Sequence, residues 1–577
     1  MSFITNKPTR EFKAGVSLTA GEYKQLSTEG FVNGAVGDHL AGRLSISAER
    51  QFDGYFTNEL NNTKWGKTRR GNWRGQLLWD AGDATTVLFN VHGGVDKSDD
   101  WYYKYLFDAS APTIFLANGS TVPNTIGPAL AAAAAQAGPD IFKGLHGFSP
   151  QPYIDNIDNG TTITVDHDYK DFTLKSVTAA EILNYARTED YGGTTLEYGW
   201  NNYGGHLKQY SEELRATSTN SGPWKWIVGA FLSYDSLDES DIYDETFNPN
   251  YVGYIFNEKY RQDTRTFALF TNNTVEIAKD LHLELGLRLS DEQKHFSGGT
   301  YIVKSDPTYA FDTCPCVVDT RLTYKEPTGK VGLDYQAGNL LYYGSVSRGY
   351  KAGGVTGLFV TDVGAKAPYN PEFINAYELG LKSDWLDKKL RVNLAAFYYD
   401  YKDLQAFGAI SNEFRIFNVS KSKIDGGEIE INAVPVKDLR IDLGIGLLST
   451  QVLESNLPAV PVGNRLGNSP NFELDLRPSY TFHTEGGSSL KTAVEVNFRG
   501  ATQYYVQNDP RQIQGGYWLF SPRVTYTDAS GRWDVALWAK NAGDKRYFRE
   551  IFNDAAAVVG FPAPPRVIGL TFNYHWD

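Results

Sequence analysis

Residues 281 to 290 alternate without a break: Leu281, Leu283, Leu285, Leu287 and Leu289 are separated by His282, Glu284, Gly286, Arg288 and Ser290. A period of two puts all five leucines on one face of a strand. The end of the chain repeats the pattern, with Ile568, Leu570, Phe572, Tyr574 and Trp576 set against Val567, Gly569, Thr571, Asn573 and His575. No helical period fits either stretch. Carried along the chain, the same reading predicts about 22 strands, among them 40–55, 69–80, 84–98, 160–168, 488–506, 514–527 and 532–552.

The connections come in two kinds. Tight turns at Gly37-Asp38, Gly82-Asp83, Ser221-Gly222-Pro223, Ala337-Gly338-Asn339, Glu485-Gly486-Gly487 and Ala529-Ser530-Gly531 carry residues that tolerate the positive φ of hairpins. Between them fall long polar connections near 54–68, 99–159, 189–204, 240–259, 298–318, 353–371, 455–468 and 553–564. Many strands exceed the length usual in soluble sheets, and Tyr, Trp and Phe gather near strand ends, where interfacial girdles sit. The prediction is an all-β fold: a transmembrane antiparallel β-barrel of about 22 strands with short periplasmic turns and long extracellular loops. An even count returns both termini to one rim.

Composition narrows the alternatives. Hydrophobic residues make up 41% of the chain, yet no apolar run approaches the roughly 18 residues of a membrane helix. A spanning protein of this kind must be a closed barrel, because only closure satisfies every strand hydrogen bond in lipid. The 577 residues contain no linker that divides them, and the net charge of −13 speaks against a nucleic-acid partner. Nine histidines are scattered without metal-binding spacing, and no Gly-x-Ser-x-Gly elbow occurs. No catalytic residue, cofactor or metal is therefore expected. Cys314 and Cys316 flank Pro315; the pair reads as a loop staple or an incidental dithiol, since it lacks the second half of a zinc site.

The longest connection holds Pro128 and the run Ala131 to Ala135, which predict a short helix bracing the loop. It opens on Trp101, Tyr102, Tyr103 and Tyr105, and another loop carries Tyr243, Tyr251 and Tyr254. Aromatics of that density suit an aromatic or catecholate ligand, which makes these seven the candidate substrate-binding residues; loop packing is the competing role. Arg465 is a candidate attractor for an anionic complex.

Several stretches resemble the barrel portion of TonB-dependent outer-membrane receptors. They are Tyr342-Tyr343-Gly344-Ser345-Val346-Ser347-Arg348-Gly349-Tyr350-Lys351-Ala352-Gly353-Gly354, Tyr377-Glu378-Leu379-Gly380-Leu381-Lys382, Ala396-Phe397-Tyr398-Tyr399-Asp400-Tyr401-Lys402-Asp403-Leu404-Gln405, Gly426-Gly427-Glu428-Ile429-Glu430 and Asn541-Ala542-Gly543-Asp544-Lys545-Arg546-Tyr547. The resemblance implies energised uptake of a scarce nutrient, a ferric siderophore or similar iron complex, across the outer membrane of a Gram-negative bacterium. Outer-membrane lipid, a lumen-filling plug and the TonB energy-coupling complex would be the partners. Ser2 to Thr9 look like the family's plug-to-barrel junction, so residues 1–9 are expected to be its remnant and 10–577 the barrel, with plug, coupling box and signal peptide missing. A passive porin, an importer of cobalamin or a carbohydrate, and a soluble adhesive β-protein are the competing readings. Porins usually have 16 to 18 strands.

Overall fold

The computed structural model describes residues 5–100, 102–106, 113–115, 121–123, 138–147, 151–190, 195, 200–244, 255–304, 316–358, 360, 363–410, 413–554 and 557–576. Among them, 22 strands form one antiparallel sheet in which neighbours in sequence are neighbours in space. The sheet closes on itself. The first strand, Lys13–Gly21, pairs with the last, Val567–Trp576, from Ala14↔Trp576 to Gly21↔Gly569.

Alternation decides which side of the wall each residue takes. Leu285, Leu287 and Leu289 are 40%, 49% and 51% exposed although they are leucines in a fully paired strand. Between them Arg288 points inward, its guanidinium over the rings of Phe231 and Phe270. The wall is thus apolar outside and polar inside, the reverse of a water-soluble barrel. Buried hydrophobic clusters form instead among the loops and the strand ends they cover. Val460, Leu466 and Val506 pack with Ile410, Phe417, Val419 and Val452.

Strand length follows from the membrane on one side only. Strands such as Ile255–Ala278 and Leu281–Lys304 run 24 residues, more than twice the roughly 9 to 11 that span a bilayer. Their turns lie at one rim, so the excess projects past the opposite membrane face. At that near rim Asp280, Gly338, Asp438, Gly487 and Gly531 adopt positive φ, as the turn chemistry requires.

Three sequence readings change. The expected strand 532–552 stops at Lys540, because Asn541 and Asp544 both take φ of 48° and turn the chain into a loop; Phe548–Asp554 is a separate strand of a loop sheet. The strands expected at 488–506 and 514–527 run Ser489–Arg499 and Tyr517–Thr527, and residues 500 to 516 between them form a packed loop with a 3-10 turn at Pro510–Gln512. The strand expected at 160–168 begins at Tyr153, since the alternation continues through Ile157 despite its polar neighbours. The helix expected at Ala131 to Ala135 lies outside the described residues.

Candidate functional site

Inward-facing polar side chains from the first and last strands line a recess in the lumen wall of about 1170 Å3, which includes Arg43, Arg74, His92, Asp158 and His575. Within it His92 Nε2 meets a Glu181 carboxylate oxygen at 3.2 Å and Arg43 lies over the ring of Phe31. Thr5 and Asn6 also line this recess. The chain just after them is tied to the inner wall by Asn33, whose amide donates to the Glu11 carbonyl at 2.8 Å and accepts from Thr9 N at 2.9 Å. Residues 5 to 11 therefore lie inside the barrel.

The extracellular mouth is narrowed by loops that bind one another. Lys104–Leu106, from the long loop after Thr85–Asp96, pairs with Ala557–Pro562 of the last loop. Phe56–Asn58, Thr63–Trp65 and Lys143–Gly144 form a second small sheet. Beneath it Arg187 joins the loop to the wall: its Nε donates to Asp100 at 2.6 Å and its Nη2 to Glu189 at 2.6 Å.

The candidate aromatics divide here. Tyr102 is buried face to face with Phe56 at 4.8 Å and packs beside Trp65 and His146. Tyr103 donates to Glu189 at 2.6 Å; burial, and then the Glu189 charge, push its hydroxyl well above the usual tyrosine range, so it keeps the proton it donates. Tyr105 and Tyr243 are buried as well, Tyr243 edge-on to Tyr203 at 5.8 Å. Trp101, Tyr251 and Tyr254 lie outside the described residues. Of the two cysteines, Cys316 is buried against Val360 and Ala365, and Cys314 lies outside the described residues. Arg465 donates its guanidinium to the carbonyl of Ser469.

A second element occupies the mouth from the other side. After Gly353 the chain bends sharply: Gly354 and Tyr369 bridge, and a Cβ at Gly353 would stand 2.3 Å from the Tyr369 carbonyl. The loop from 352 to 371 then folds inward. Its Lys366 ammonium, fully buried, pairs with Glu258 at 2.5 Å and donates to the carbonyls of Thr356 and Leu358. Glu258 also accepts from Thr300 at 2.7 Å. No sequence signal marks this latch, because its two charges stand 108 residues apart.

The family whose profile matches, over residues 17–542, is described as TonB dependent receptor-like, beta-barrel. The chain belongs to the TonB-dependent receptor family. It is 22% identical over 644 residues to the catecholate siderophore receptor of Escherichia coli O6:H1, covering 100% of this chain and 78% of that one. It is 25% identical to the metal-pseudopaline receptor of Pseudomonas aeruginosa over 261 residues, or 44% of this chain. That match spans 34% of the pseudopaline receptor's length, about a third. The barrel superposes on the ferric yersiniabactin uptake receptor of Yersinia pestis with a TM-score of 0.81 at 17% identity, covering 99% of this chain and 81% of that one. The siderophore receptor of Acinetobacter baumannii gives 0.78 at 15%, covering 99% and 82%. This TonB-dependent receptor barrel resides in the outer membrane of a Gram-negative bacterium and is not an enzyme.

Proposed function

We propose that the chain is the barrel of an energised importer of a scarce nutrient, and that the nutrient is a ferric siderophore or a similar iron complex. The observation that carries this reading is the family match along residues 17–542, joined to a wall of 22 strands too wide for its own side chains to fill. The names of the similar receptors, for catecholate siderophores and metal-pseudopaline, support the iron complex over cobalamin or a carbohydrate. In this reading Trp101, Tyr251 and Tyr254 meet the ligand, while Tyr102, Tyr103, Tyr105 and Tyr243 hold the loops that present it. The lumenal course of Thr5 to Glu11 supports residues 1–9 as a junction to a plug, through which the TonB complex would act.

Tryptophan fluorescence of the refolded chain in detergent tests the substrate class. A ferric catecholate complex should quench it saturably, and neither cobalamin nor a maltooligosaccharide should do so. Quenching by one of those two and not by the iron complex would reassign the substrate. In planar bilayers the 577-residue chain should give a large steady conductance; a small, tightly gated current would contradict an open lumen.

A further inference from the structure

The outer surface carries an arrangement that uptake does not use. Strands Leu40–Gln51 and Thr68–Asp80 pair in unbroken register from Leu40↔Trp79 to Gln51↔Thr68, and within it Arg50 stands directly opposite Arg69. Both lie on the lipid-facing side, in line with the exposed Ile46 and Trp73, whereas Glu49 and Arg70 point into the lumen, where both line a second recess. Like charges placed directly across a ladder repel.

Nothing nearby cancels that repulsion. Asp155 is taken by Lys97 at 3.2 Å, Asp53 by Lys24 at 3.1 Å, and the Asp99 carboxylate accepts from Lys67 N at 3.0 Å. Among the described residues neither Arg50 nor Arg69 has an acidic partner, and Arg50 only lies over the ring of Phe52.

Height gives the patch its meaning. From Trp79, near the turn, to Arg69 is ten residues, about 33 Å of strand and roughly 25 Å of elevation at the usual tilt, which is the height of the apolar band of such barrels. The arginines therefore sit where outer-leaflet headgroups begin. Below them Ala48 and Gly71 leave a shallow track between the larger Ile46, Trp73, Val95 and Ile157.

We propose that Arg50 and Arg69 together clamp the phosphate of an outer-leaflet glycolipid whose acyl chains lie along that apolar track. Arginines at directly opposed positions of one ladder can both fork onto a single phosphate, and an anion between them turns the repulsion into attraction.

Native mass spectrometry of the detergent-purified 577-residue chain tests this, with diphosphoryl lipid A and fully dephosphorylated lipid A as probes. Wild type should retain the phosphorylated lipid about ten-fold more than the dephosphorylated one, and Arg50→Gln with Arg69→Gln should erase that preference. Equal retention of both lipids by wild type, or an unchanged preference in the double variant, would overturn the proposal. Migration in unheated gels verifies that the variant is folded. Should it not fold, Arg69→Gln alone carries the same reading, and the wild-type comparison needs no variant.

Discussion

Lys366 shows what a single buried charge does at the mouth. Its ammonium is satisfied by Glu258 and two carbonyls, so removing it strands a fully buried carboxylate. Lys366→Met is expected to cost about 3 kcal/mol locally and to open the loop from 352 to 371, read as faster amide exchange there with the barrel's exchange unchanged. Adding Glu258→Gln should restore much of the protection. At this scale the sequence was legible in kind and not in place. Tyr102 and Tyr103 stand out as aromatics in a loop, but whether each ring is exposed depends on partners from other loops, Phe56 and Trp65 for Tyr102 and Phe561 for Tyr103.

Elements were read far better, because a strand between lipid and lumen has its alternation written by two different solvents. The outward leucines of Leu281–Lys304 obey that rule up to Leu289, and beyond it Gln293 and His295 take the same face where the strand has left the bilayer. The two halves of one strand should therefore answer differently to one substitution. Leu285→Arg is expected to cost about 2 to 4 kcal/mol and Gln293→Arg close to none, measured by urea unfolding in lipid vesicles. Where the reading erred, the rule had lapsed. Residues 541 to 547 hold no apolar alternation, Asn541 and Asp544 supply left-handed turns, and past the membrane no second solvent enforces a face.

For the whole molecule, the strand number and the common rim of the turns followed from turn chemistry, while the inward fold of the mouth did not, because it depends on pairings between loops distant in sequence. Closure itself is testable: deleting Val567–Trp576 leaves Lys13–Gly21 paired on one side only, with Gln25–Gly37, and the shortened chain should lose the compact, fast-migrating form in unheated gels. The stitch between Lys104–Leu106 and Ala557–Pro562 has a further consequence, for biogenesis. A nascent polypeptide must emerge past Pro562 before that stitch can form and past Trp576 before the seam can close, so the vestibule and the wall are completed close together, and a copy halted before them presents neither a sealed wall nor a finished entrance.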